Sequence, residues 1–133
     1  MNAEWVDHLN LRIPADRVDE FVELYRDNLG FDLEHLDAYR NDEKPFFYLR
    51  LTETSVFHVS PREESFDGPS GENFNHVAIF VDEPRSAVRK RLEDSDAEIR
   101  EEATRLGATG EYPSVYAEDP FGYVIEFKSR TEN

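Results

Sequence analysis

Val6-Asp7-His8-Leu9-Asn10-Leu11-Arg12-Ile13 alternates, with Leu9, Leu11 and Ile13 on one face and His8, Asn10 and Arg12 on the other, and 68 positions after His8 the segment His76-Val77-Ala78-Ile79 repeats the pattern. Each reads as a half-buried strand, with the odd-numbered apolar residues on one face and the histidine on the other. The offset of 68 that carries His8 to His76 also carries His58 to Glu126, Leu9 to Val77, Leu11 to Ile79, Phe57 to Ile125 and Val59 to Phe127. Apolar matches alone arise readily between alternating strands. Two pairs of potential metal ligands keeping one register point instead to an internal repeat, two similar modules related by a pseudo-twofold axis.

Working outward from the first strand, Pro14-Ala15-Asp16 breaks the alternation, with Asp16 as the expected helix N-cap. Val18, Phe21, Val22, Tyr25 and Leu29 form a helical stripe that Gly30 is placed to end. Strands are expected at Asp32–Tyr39, Phe46–Leu51 and Ser55–Ser60, so the first half reads βαβββ. Pro61–Gly71 lacks periodicity and is rich in Pro, Gly, Ser and acid, which marks a linker. The second half repeats the order. Phe74–Val81 is a strand, Asp82 caps a helix to about Asp94 with Ala87, Val88 and Leu92 inward, and strands follow at Ala97–Glu101, Ser114–Ala117 and Tyr123–Lys128. Gly107 and Gly110 mark a long turn before the second of these. The expected organisation is one domain over residues 1–133, with module one at about 4–61, a linker at 62–72 and module two at about 73–130.

Composition limits what such a chain does. Its 133 residues suit one domain, and ten Phe and six Tyr supply a core despite 34% charged residues. No apolar run is long enough to span a bilayer, and the N-terminus lacks a signal-peptide pattern, so the expected location is the cytoplasm. With no Cys, any metal must sit on nitrogen and oxygen ligands. Thirty acidic residues against fifteen basic ones give a formal net charge of −15, a field that disfavours nucleic acid and anionic membrane as partners. Twelve of the basic residues are Arg and three are Lys. A surface so acidic and so poor in Lys resembles proteins of salt-loving organisms, in which high salt screens the self-repulsion.

In four strands the candidate ligand opposes the helix-packing residues: His8, His58, His76 and Glu126. Neutral imidazole and carboxylate suit Fe(II), Mn, Ni, Co or Zn, and two His with one carboxylate leave positions open for substrate. His35 has no repeat-matched partner of ligand type and reads as an ordinary residue at or just behind the surface.

Three segments carry a resemblance: Asp7-His8-Leu9-Asn10-Leu11-Arg12-Ile13, Leu24-Tyr25-Arg26-Asp27-Asn28-Leu29-Gly30-Phe31 and Asn75-His76-Val77-Ala78-Ile79. The most specific is a fourth, Asp119-Pro120-Phe121-Gly122-Tyr123-Val124-Ile125-Glu126-Phe127. Together, from Trp5 to Lys128, they resemble the vicinal oxygen chelate superfamily, which includes glyoxalase I, extradiol dioxygenases, fosfomycin-resistance enzymes and bleomycin-binding proteins. The resemblance implies an α+β fold in which tandem βαβββ modules form a cup-shaped mixed sheet, covered by helices, around a divalent metal ion. It places His8, His76 and Glu126 on the ligand strands. His58 falls where glyoxalase I has a glutamate ligand, and is a fourth ligand, a catalytic base or a bystander. Asn10, Tyr48, Arg50 and Tyr116 are candidates to line the substrate cup. Arg50 either offsets an anionic substrate or forms a surface ion pair, and the tyrosines either donate hydrogen bonds or pack. Asp119, Pro120 and Gly122 are expected to turn the chain into the last strand.

The implied function is a metal-dependent enzyme of glyoxalase type, an isomerase or lyase acting on a small substrate chelated through adjacent oxygens. The alternatives are an Fe(II) extradiol dioxygenase-like enzyme and a non-catalytic drug- or metabolite-binding resistance protein. A small molecule is the expected partner, and a homodimer the expected assembly.

Overall fold

The computed structural model describes residues 1–69 and 73–133, so the end of the expected linker, residues 70–72, lies outside the described residues. The chain divides into two compact units, Met1–Phe66 and Asp67–Asn133.

The first unit holds a four-stranded mixed sheet in the order β1-β4-β3-β2. Its strands are β1 (His8–Pro14), β2 (Asp32–Glu34), β3 (Phe47–Thr52) and β4 (Ser55–Arg62), with β1 parallel to β4 and the other pairs antiparallel. Between β1 and β2 a 3-10 turn (Ala15–Arg17), helix α1 (Val18–Val22) and a π-helical stretch (Glu23–Asn28) follow one another. Asp16 is not the cap: Pro14, extended at ψ 138°, begins the turn, and no side chain bonds the free N–H groups. Proline suits this start because it has no N–H to satisfy. Gly30, at φ 84°, ends the segment in a left-handed conformation that costs glycine little. The expected strand Asp32–Tyr39 is a correction. Only β2 forms, and helix α2 (Leu36–Arg40) follows it after His35, whose φ of 65° reverses the chain. Leu36 is buried there and the Tyr39 N–H bonds the His35 carbonyl, so a local helical turn wins over a longer edge strand.

Alternation sets the layers. Leu11, Ile13, Phe47, Leu49, Phe57 and Val59 are all buried, together with Val18, Phe21, Val22, Leu24 and Tyr25 of the helical segment. Phe21 meets Phe47 edge-on at 5.7 Å and Tyr25 at 4.3 Å, which fixes the helix over that face of the sheet.

The second unit repeats the plan, with strand order β5-β8-β7-β6. Its elements are β5 (Val77–Phe80), helix α3 (Arg85–Glu93), β6 (Glu98–Gly107), β7 (Gly110–Glu118) and β8 (Val124–Lys128). Val88 and Leu92 of α3 are buried with Val115, Ala117, Ile125 and Phe127. Asp82 does not cap α3; the helix starts after Pro84, with no side-chain cap bond. Strand β5 is shorter than expected and leaves His76 immediately before it. The β6–β7 hairpin is longer, since Gly107 pairs with Gly110 and only Ala108 and Thr109 turn the chain. The register matches across the units: Leu9 pairs with Phe57 as Val77 pairs with Ile125. Asp119 makes the turn into β8, its Oδ1 accepting the Phe121 and Tyr123 N–H groups at 2.9 and 2.8 Å. Among the described residues no helix is long and apolar enough to cross a membrane.

Candidate functional site

In the first unit, Asn10, His58 and Tyr48 occupy one rung across β1, β4 and β3. They stand on the face opposite the helix, as the odd–even alternation requires. His8 stacks on His58 with ring centroids 4.0 Å apart, and Tyr48 stacks on it at 4.7 Å with planes 6° apart. Because β4 lies between β1 and β3, the His58 ring is held between these two, with Phe46 at 5.0 Å adding to the stack. Burial, and then the neighbouring His8, push the His58 imidazole below its ordinary range, against a weaker pull from Asp7.

The His8 Nδ1 lies 2.8 Å from Asp7 Oδ2. A carboxylate only accepts, so Nδ1 carries the proton and Nε2 is left to act as a ligand. Arg50 lines one pocket with Tyr48 and His58, and there its guanidinium forms a two-point pair with Glu34 at 2.7 and 3.2 Å and donates to the Thr52 carbonyl. His35, turned by its left-handed backbone, meets Tyr48 edge-on at 5.0 Å.

In the second unit, Tyr116 pairs with Glu126 across β7 and β8 as Tyr48 pairs with His58. The offset of 68 thus extends to the two tyrosines, and to Asp7 and Asn75 as well. Asn75 Oδ1 lies 2.6 Å from His76 Nδ1, so here too Nδ1–H donates and Nε2 faces away. That Nε2 lies 3.2 Å from Glu126 Oε2. Two lone-pair atoms at this distance need a proton or a cation between them. The ring of Tyr116 lies edge-on to His76 at 5.2 Å.

Glu126 is only 4% exposed. Burial pushes its carboxyl up, but hydrogen bonds from Ser114, Lys128 and Tyr116 outweigh that and hold it below the usual carboxylate range. Ser114 Oγ donates to Oε1 at 2.8 Å and Lys128 Nζ at 3.2 Å. The Tyr116 hydroxyl is pushed up by burial and then by the Glu126 charge. A cavity of about 860 Å³ opens beside the pair, lined by His76, Glu126 and Lys128 and by the apolar or aromatic Phe80, Leu106 and Tyr112.

The donors suit a divalent metal. Two ligands each roughly 2.1 Å from an ion, at near-tetrahedral or octahedral angles, stand about 3.0–3.4 Å apart, and the 3.2 Å between His76 and Glu126 falls in that range. Among the described residues no group of three or more His, Cys, Asp or Glu side chains stands ready to hold a metal ion. Each unit holds a pair of its own: His8 with His58 in the first, and His76 with Glu126 in the second. Sequence reasoning missed Ser114 and Lys128. Lys128 is two residues beyond Glu126 and so shares its face of β8, which was the available signal.

The family model described as the Glyoxalase/Bleomycin resistance protein/Dioxygenase superfamily matches residues 5–127, and the chain belongs to this family. Among solved structures it is similar to virulence protein STM3117 from Salmonella typhimurium, at 21% identity and a TM-score of 0.71, with 98% of this chain and 100% of that one covered. An integron cassette protein from the mobile metagenome of V. cholerae has 24% identity and a TM-score of 0.72, with 98% of each chain covered. A glyoxalase/dioxygenase from Nostoc punctiforme has 16% identity and a TM-score of 0.69, covering 97% of this chain and 92% of that one. Comparison with curated proteins gives no match.

Proposed function

We propose that the protein is a metal-dependent enzyme of glyoxalase type, an isomerase or lyase that takes a small substrate through two adjacent oxygens. The proposed ligands are His8, His76 and Glu126, with His58 as a fourth ligand or the catalytic base. The observation that carries this reading is the gap between His76 Nε2 and Glu126 Oε2, two acceptors 3.2 Å apart. The contacts of Asp7 and Asn75 support it, because both engage Nδ1 and leave Nε2 as the nitrogen that would meet an ion.

When bound, a divalent ion supplies Lewis-acid stabilisation of negative charge developing on substrate oxygen. The chain's own groups do the rest. His58, whose imidazole burial and the neighbouring His8 push below its ordinary range, would take a proton from a substrate carbon and return it to the neighbouring carbon. Tyr116 faces Glu126 and would orient the substrate by its hydroxyl, and Phe80 and Leu106 offer the cavity an apolar, solvent-exposed side. Asn10, on the rung of His58, offers an amide to a substrate oxygen.

A dioxygenase-like reaction would use the same three ligands with iron. Metal analysis of protein purified without chelators tests both readings. Bound iron with oxygen-dependent activity would favour the second, while protein that holds no metal and takes up none on titration would contradict both.

A further inference from the structure

Lys128 is a buried cation that the proposed chemistry does not use. It is 6% exposed, and its ammonium meets three acceptors: the Arg105 carbonyl at 2.8 Å, Glu126 Oε1 at 3.2 Å and Ser114 Oγ at 3.3 Å. An ammonium has three N–H donors, so none is left over for a substrate anion. The fold also makes room for it. A Cβ added at Gly107 would stand 2.9 Å from Lys128 Cε and 3.4 Å from Nζ, so the end of β6 is shaped around this side chain. Burying a lysine is costly unless it is paired, and here the partner is the carboxylate proposed as a ligand.

We propose that Lys128 is a positioning residue for Glu126. With Ser114 it occupies Oε1, so the carboxylate offers the metal Oε2 alone, as a single-oxygen ligand of reduced charge. This rests on the metal reading above. Without the ammonium the carboxylate is free to present both oxygens, and a nearby positive charge that repels the ion is gone. Lys128 thus keeps metal binding weaker and the coordination lower than the bare ligands would give. It leaves positions on the ion for the adjacent oxygens of a substrate.

The test is titration of the chelator-treated full chain with cobalt(II), following the visible absorption bands and Kd, for the wild type and for Lys128→Met and Gly107→Ala. The wild type is expected to bind cobalt. Lys128→Met is expected to bind it about tenfold or more tightly, because a like charge has been removed. Its bands should lose intensity as the coordination number rises. Gly107→Ala keeps the charge but displaces the ammonium, and should move the bands in the same direction even if Lys128→Met fails to fold. Wild-type bands and affinity in the folded variants would overturn the positioning role and leave the metal reading standing. A wild type that takes up no cobalt would overturn both.

Discussion

The Nε2 of His76 lies 3.2 Å from Oε2 of Glu126, and the other nitrogen of the ring is already committed to Asn75. A proton or a cation between the two atoms accounts for that distance, and the metal reading proposed above takes the second. Removing either donor, as His76→Ala or Glu126→Gln, is expected to weaken binding of a divalent metal by about a hundredfold or more, beyond the loss typical of outer partners. Calorimetric titration checks this, with circular dichroism confirming that the fold persists.

Asn75 and Asp7 hold the two histidines in the same way from the preceding residue. Such partners fix tautomer and ring orientation, and their loss typically costs about 10- to 100-fold in metal affinity. Asn75→Ala and Asp7→Ala are expected to fall in that range, while each leaves the melting temperature of the metal-free protein nearly unchanged. Asn75→Asp, which keeps an acceptor oxygen, should restore affinity.

Glu83 and Arg91 form a two-point pair at 2.7 and 2.8 Å that ties the start of α3 to its last turn. The Arg91 hydrogen bond, opposed by burial, holds the Glu83 carboxyl below its ordinary 4.5. The folded-state value lies below the unfolded one, so the pair's contribution is complete above that pH. It disappears as pH falls through the folded-state value. Thermal melts should show Glu83→Gln less stable than the wild type near neutrality, with the difference closing below pH 4.5. A difference independent of pH would count against the pair.

The strand pattern of the first unit was legible because β1, β3 and β4 alternate with one face fully apolar. Strand β6 was only partly legible. It carries Glu98, Arg100, Glu101, Glu102 and Arg105, and it is stabilised by cross-strand charge, as in Arg100 with Glu118, instead of by apolar alternation. Helix α2 was hidden because apolar and polar residues alternate locally in Asp32-Leu33-Glu34 and again in Leu36-Asp37-Ala38, and the left-handed turn at His35 that separates the two is not visible in that alternation. In the site, the register of His8, His58, His76 and Glu126 came from one repeated offset. Ser114 and Lys128 lie outside that register, falling on Phe46 and Ser60, and the roles of Asp7 and Asn75, which share it, were not legible, since a polar residue beside a strand ligand is most often solvated.

The charge of −15 makes a separate prediction. Self-repulsion of an acidic surface is relieved by screening, and the Debye length falls from about 10 Å at 0.1 M to about 3 Å at 1 M salt. The melting temperature is expected to rise steeply with KCl over that range. A melting temperature indifferent to salt would argue that the acidic surface is ordinary and not an adaptation to high salt.

The metal content of the purified chain tests the central claim most directly. Protein prepared without chelators, analysed by elemental mass spectrometry and then titrated with a divalent ion, is expected to bind one metal ion per site. That binding is expected to be lost in Glu126→Gln. Wild-type protein that holds no metal and binds none, or a Glu126→Gln variant that binds as tightly as the wild type, would contradict the account.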